Sequence, residues 1–129
     1  MANKTIKNCT LFLLCCLSFL CTSCFSEVDL GFPHKVSFPK EGGEMIITGE
    51  KIYFDATIRD YHGNSGHTEF GEDGIRYETF DWLKIEFVDT TFNEQLKLYV
   101  APKTTNHRRK LYIDLWDDPY YQVVKVIQE

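Results

Sequence analysis

Apolar and polar residues alternate along most of the chain beyond residue 34. From Lys51 to Arg59, for example, every second residue is apolar and most of the residues between are polar. A period of two places successive side chains on opposite faces of a β-strand, whereas a helix needs apolar residues every three or four positions. No segment keeps the helical period. The chain is therefore predicted to be all-β, with strands in residues 36–38, 44–48, 51–59, 83–88, 96–100, 111–116 and 121–128.

Short strands separated by turn residues are typical of a sandwich of two sheets. We therefore predict an immunoglobulin-like antiparallel β-sandwich of about seven strands. Gly42-Gly43 marks a turn between the first two strands, and Pro102 ends a later strand because proline cannot donate to a ladder. Asp60–Thr79 contains four glycines and few apolar residues, and it is predicted to be a long loop, either functional or surface decoration.

The N-terminal residues have a different pattern, typical of an export signal. Lys4 and Lys7 precede a 13-residue run, Cys9–Cys21, that is almost entirely apolar, and small residues follow it. A basic start, a short apolar run and a small-residue cleavage site define a secretory signal peptide. The run is shorter than the ~18–20 residues that a membrane-spanning helix needs. Residues 1–23 are therefore predicted to be removed.

Thr22-Ser23-Cys24 resembles the end of bacterial lipoprotein signals, in which small residues precede a cysteine that is lipid-modified and becomes the new N-terminus. The resemblance implies a lipid on Cys24. Those signals usually carry Leu three positions before the cut, where this chain has Cys21, so Cys21 is an alternative modified residue. An ordinary cleaved secretory signal is the other alternative. Residues 24–33 are predicted to be a lipidated tether and residues 34–129 the folded domain.

Cysteine usage and charge limit the function of the processed chain. All five cysteines lie between Cys9 and Cys24, so the domain contains no disulfide, no thiolate metal site and no cysteine nucleophile. Loss of residues 1–23 leaves 12 basic and 19 acidic residues, a net charge of −7. Such a charge disfavours nucleic acid and anionic lipid surfaces. Attachment to a membrane is therefore expected to come from the lipid.

The domain sequence resembles the BACON domain, a β-sandwich module of extracellular Bacteroidetes proteins, many of them carbohydrate-active. The resemblance begins at VSFPKEGGEMIIT (residues 36–48), resumes at DWLKI (residues 81–85), and closes with RKLYIDL (residues 109–115) and the final VVKVIQE, which contains Gln128. It implies the sandwich fold and an association with carbohydrate. Asp60–Thr79 departs from the family as an insertion, and Lys103 stands where the family often has Asn.

The last predicted hairpin carries the candidate ligand-binding residues, which are Tyr112, Asp114, Trp116 and Tyr121. Alternation places these side chains on the face opposite the apolar residues of the same strand. Aromatic rings stack on the C–H face of a sugar, and carboxylates accept hydrogen bonds from its hydroxyls. A glycan platform is one interpretation. Packing of the rings under the insertion or against a partner is the other. Trp82, by contrast, is expected to be a core residue between the sheets.

The remaining polar residues match no catalytic or metal template. His62 and His67 lie five residues apart among acidic residues, a spacing without a known ligand pattern. Arg108, Arg109 and Lys110 suit a solvated sheet edge. We therefore expect a non-enzyme that needs no cofactor and no metal. It is expected to be lipid-anchored in the outer membrane, facing the periplasm or the cell surface, and to act as a glycan-binding or spacer module, or as a subunit of a surface protein complex.

Overall fold

A computed structural model describes residues 29–50, 54–88 and 95–129 of the chain. The proposed signal peptide, residues 1–23, and the proposed lipidation site, Cys24, lie outside the described residues. The described residues contain no helix and nine strands, two more than the sequence pattern predicts. The strands are β1 (Lys35–Phe38), β2 (Gly43–Thr48), β3 (Asp55–Arg59), β4 (His67–Phe70), β5 (Arg76–Phe80), β6 (Leu83–Val88), β7 (Gln95–Val100), β8 (Arg109–Asp117) and β9 (Tyr120–Gln128).

The strands form two sheets that pack face to face. One sheet has four strands in the order β1-β9-β8-β3, and the other has five in the order β2-β7-β6-β5-β4. All pairs are antiparallel except β1 and β9, which run parallel. The fold class predicted from the sequence is therefore confirmed, with one parallel pair added. The chain changes sheet at Gly42, whose φ of +76° and close approach to the Val100 carbonyl exclude a side chain.

The core lies between the sheets and is filled by the alternating apolar residues. Leu111, Ile113 and Leu115 of β8 face Leu96 and Leu98 from the other sheet, and all five are buried. Trp82, just before β6, is buried as well, so its predicted core position is confirmed. The guanidinium of Arg109, on β8 of the opposite sheet, lies 4.8 Å from its ring centroid. Trp82 thus contacts both sheets.

The segment Asp60–Thr79, predicted as a loop, instead contains β4 and most of β5. Its strand pattern is hidden because β4 is exposed at all four positions and two of the three inward positions of β5 carry Arg76 and Glu78. These two side chains pair at 2.8 Å, and Arg76 also pairs with Asp55 of β3 at 2.8 Å. Burial alone would lower the pKa of Arg76, but its hydrogen bonds to Glu78 and Asp55 outweigh this and raise it. The insertion therefore closes one side of the sandwich by an ionic contact between the sheets.

The sandwich has two ends, which we call the entry end and the far end. β9 begins at the entry end, beside residues 29–32, and it ends at the far end, beside the turn of residues 39–42 and Trp82. At the entry end Leu30 and Phe32 are buried in the core. The sequence places both in the tether, but the packed domain already includes them and thus begins before residue 34.

Within residues 29–50, 54–88 and 95–129, no helix is long and apolar enough to cross a membrane.

Candidate functional site

The outer face of the four-stranded sheet brings together all four residues proposed to bind a ligand. Tyr112, Asp114 and Trp116 alternate along β8 with buried leucine and isoleucine, and Tyr121 lies directly opposite Trp116 on β9. The pleat of an antiparallel sheet sends these side chains to one face. The grouping expected from the sequence is therefore present in the structure.

An ion pair fills the centre of this face. The Asp114 carboxylate accepts a hydrogen bond from Arg59 Nε at 2.6 Å on one oxygen and from the Tyr121 hydroxyl at 3.0 Å on the other. The bond to Asp114 raises the pKa of Arg59, and partial burial followed by the same carboxylate raises the pKa of Tyr121. Both Asp114 oxygens thus already have protein donors, so a ligand would meet a fixed carboxylate–guanidinium pair rather than a free carboxylate.

Arg59 is the residue of this face that the sequence analysis missed. Its guanidinium lies 4.7 Å from the centroid of the Tyr112 ring, so one face of that ring is covered. The sequence contains only an indirect signal, since Arg59 alternates with the apolar Ile58 and belongs to the outer face of β3. Its position opposite Tyr112 follows from the pairing of β3 with β8, which links residues far apart in sequence.

Trp116 and Tyr121 form a second aromatic part of the face, separate from the Tyr112 ring that Arg59 covers. They lie in one row across β3, β8 and β9, with Asp55 on the other side of Trp116. Tyr121 is 42% exposed and Trp116 is half-buried. Tyr112 lies four residues along β8, about 13 Å from Trp116. A glycan would therefore need more than one sugar ring to contact both Tyr112 and the Trp116–Tyr121 row.

The outer face of the five-stranded sheet is organised differently. There the ammonium of Lys84 lies 4.3 Å from the Tyr77 ring centroid, and the hydroxyl of Tyr99 donates to Glu86 at 3.2 Å. Lys97 pairs with Glu44 at 3.3 Å and also lies over Tyr99. The charged and aromatic groups of this face thus contact one another, which leaves fewer of them available to a ligand.

The two histidines considered as metal ligands have other contacts. His67 Nε2 lies 2.8 Å from a Glu69 oxygen and 3.1 Å from the Thr79 hydroxyl, and the His62 ring packs edge-on against Tyr61. Among the described residues, no three His, Cys, Asp or Glu side chains converge on a point that could hold a metal ion.

The basic cluster that was expected at a solvated sheet edge lies at the start of β8, where Arg108 and Lys110 are exposed. Arg109 donates from Nε to Gln128 at 2.7 Å and Arg108 pairs with Glu129 at 2.9 Å. β8 lies between β9 and β3 in the sheet, but β3 pairs with residues 112–116, so the described β3 pairing does not extend to residues 109–111. These arginines bind the C-terminal residues.

An open groove of about 540 Å³ lies at the far end, away from the four-stranded face. Both carboxylate and aromatic side chains line the groove. Asp81, between β5 and β6, has a φ of +52°, which is uncommon for a residue with a side chain. The groove is lined by, among others, Glu41, Asp81, Trp82, Lys84, Tyr99 and Pro102.

The architecture defines the chain as an immunoglobulin-like β-sandwich. The comparison with solved structures agrees: an NMR structure of a protein from Bacteroides thetaiotaomicron is similar to this chain with a TM-score of 0.55 and 18% identity, over 81% of this chain and 83% of that one. At that identity the likeness concerns the fold alone. No protein-family model and no curated protein sequence matches the chain.

Proposed function

We propose that this protein is a lipid-anchored, exported β-sandwich that binds glycans through the outer face of its four-stranded sheet. One observation supports this more than any other: the Trp116–Tyr121 row lies beside the Arg59–Asp114 ion pair on a single exposed face. Aromatic rings offer a stacking surface for the apolar face of a sugar. The ion pair offers charge-assisted donors and acceptors for its hydroxyls.

The test is affinity electrophoresis of the purified domain through gels that contain bacterial, plant or animal polysaccharides. We expect at least one polysaccharide to slow the native protein, and the double variant Trp116→Ala, Tyr121→Ala to run as it does without ligand. The matched control is Tyr77→Ala, Tyr99→Ala, which removes two aromatic rings from the other outer face. Unchanged retardation in the Trp116, Tyr121 variant would exclude this platform.

The anchor is proposed to be a lipid on Cys24, after removal of residues 1–23. The support is the basic start, the apolar run and the small residues before the cysteine. Cells fed labelled palmitate should label the native protein, and Cys24→Ala should abolish the label. Cys21→Ala serves as the control because that residue leaves with the signal. A label lost from Cys21→Ala and kept in Cys24→Ala would move the anchor to Cys21.

We also propose that the anchored protein lies in the outer membrane, facing the periplasm or the cell surface. Digestion of intact cells with added protease separates the two, since only a surface-displayed domain is degraded. The motifs quoted above also support membership of the BACON family, which we include in the proposal. No enzymatic activity is part of it.

A second candidate function is a protein-interaction subunit of a surface complex. The supporting observation is β4, an edge strand whose four residues are all exposed and whose Phe70 is 71% exposed. Edge strands and exposed aromatic residues favour contact with another chain. Stoichiometric co-purification of a partner, without retention on any polysaccharide, would favour this function over glycan binding.

A further inference from the structure

The residues just after the proposed anchor are bound tightly to the entry end of the sandwich. Gln122 Oε1 accepts hydrogen bonds from the backbone N–H groups of Leu30 and Phe32, both at 3.1 Å, and Gln122 Nε2 donates to the Phe32 carbonyl at 2.6 Å. The Glu50 N–H donates to the Leu30 carbonyl at 2.8 Å. Gln122 is only 2% exposed, so these bonds are shielded from water.

The side chains of the same segment are part of the core. Leu30 is fully buried, and the Phe32 ring packs edge-on against Phe54 with 5.1 Å between centroids. Gly31, between them, has a φ of +82° and donates its N–H to the Asp29 carboxylate. The path of the chain from Asp29 to Phe32 is therefore fixed by both backbone and side-chain contacts.

This attachment leaves little chain between the domain and the lipid. Leu30 lies six positions after Cys24, and even a fully extended chain over those six steps spans only about 20 Å. The nine residues of β9 alone extend about 30 Å along the sandwich. The connection is thus shorter than the domain, and it leaves from one end.

We propose that the entry end is a membrane-facing surface, which lies against the lipid headgroups while the far end points away from the bilayer. The inference rests on the proposed lipid anchor at Cys24. Trp116, Tyr121 and the β8–β9 turn lie at this end, and amphipathic aromatic rings of this kind favour the headgroup region of a bilayer. The Trp116–Tyr121 row therefore meets its ligand near the membrane, and the groove beside Trp82 opens on the opposite side.

The test measures how close each end lies to lipid. The processed chain has no thiol besides the lipid-modified cysteine, so Asp118→Cys at the entry end and Thr105→Cys at the far end can each be labelled with one fluorophore. Both positions are exposed. The full-length lipoprotein is purified from bacterial membranes and reconstituted into phosphatidylethanolamine–phosphatidylglycerol vesicles that contain a lipid with a nitroxide in its headgroup region.

We expect several-fold stronger quenching at residue 118 than at residue 105. Gln122→Ala should weaken this difference by releasing residues 29–32, whereas Gln95→Ala, which removes a surface glutamine, should keep it. Equal quenching at the two positions, or stronger quenching at 105, would overturn the inference. Flotation with the vesicles is measured first: a chain that does not float contradicts the anchor itself, while a chain that floats with equal quenching contradicts only the orientation.

Discussion

Two buried glutamines on β9 hold the two ends of the sandwich in different ways. At the far end, the two N–H groups of Gln128 Nε2 are shared among the carbonyls of Pro39, Lys40 and Ala101, at 2.9–3.2 Å. Each of these carbonyls also accepts a bond from another group: from the backbone N–H of Gly42, from that of Lys103, and from the Arg109 side chain, respectively. At the entry end, Gln122 is the acceptor for two backbone N–H groups of one incoming segment.

The difference shows what each glutamine does for the fold. Gln128 adds to contacts that already join the turns of the far end, so it strengthens a network. Gln122 supplies bonds that attach residues 29–32, so the position of this segment depends on it. Loss of a buried partner is most costly where it leaves a donor without an acceptor.

The largest effect is expected for Gln122→Leu. It removes the acceptor of the Leu30 and Phe32 N–H groups, and at roughly 1–3 kcal/mol for each unsatisfied buried group the free energy of unfolding should fall by about 3 kcal/mol. Urea unfolding followed by tryptophan fluorescence measures this. Gln95→Leu, at an exposed hydrogen bond to Thr48, is the control and should change stability by less than about 0.5 kcal/mol.

Gln128→Leu should cost less, about 2 kcal/mol, because each carbonyl keeps a second donor and the main loss is the acceptor of Arg109 Nε. The same urea titration applies. Amide hydrogen exchange sharpens the contrast: exchange in the Gln122 variant should speed up first at Leu30 and Phe32, and in the Gln128 variant across the far end. A larger loss of stability for Gln128→Leu than for Gln122→Leu would contradict the view that Gln128 adds to existing contacts whereas Gln122 attaches residues 29–32.

Both ends contain left-handed backbone conformations. The entry end has Gly31 at a φ of +82°, and the far end has Asp81 at +52° besides Gly42 at +76°. Since a side chain in this region costs about 1–2 kcal/mol, Gly31→Ala should lower the free energy of unfolding by that amount. Asp81→Gly should leave it within about 0.5 kcal/mol, because relief of strain offsets the greater freedom of the unfolded glycine. Thermal unfolding of both variants compares them.

The smallest effect concerns alkaline pH at the entry end. Partial burial, together with the hydrogen bond to Asp114, raises the pKa of Tyr121 above its ordinary value near 10. The folded state therefore favours the neutral phenol, so this stabilisation is complete below pH 10 and is lost as pH rises through the folded-state pKa. Tyr121→Phe should flatten the fall in stability above pH 10. Tyr77→Phe is the comparison variant. It removes a tyrosine on the other outer face whose pKa is also raised, there by a hydrogen bond to Glu86.

The sequence predicts the strands whose inward residues are apolar, and it misses β4, whose residues are all exposed, and β5, which has charged inward residues. The period of two in residues 111–116 correctly locates β8 and the outward set Tyr112, Asp114 and Trp116. The same rule fails in β5, where Arg76 and Glu78 point inward and are neutralised by each other and by Asp55. A local pattern cannot show that a charge has a partner on another sheet.

The candidate site was predicted only where it lies on one hairpin. Trp116 and Tyr121 are neighbours across the β8–β9 turn, so alternation alone places them together. Arg59 joins them through the pairing of β3 with β8, which are separated by four other strands in the chain. Likewise, Leu30 and Phe32 look like tether residues in the sequence, because the acceptor that binds their backbone, Gln122, lies about ninety residues away.

The position of β9 in the chain has a consequence for export. This strand pairs with both β1 and β8, and it carries both glutamines that close the ends, yet all the other described strands precede it. Contacts between distant parts of a chain form late and slowly in β-proteins. During synthesis, neither end can close until β9 has emerged. Closure of both ends thus waits for the last described strand, which is compatible with the export that we propose.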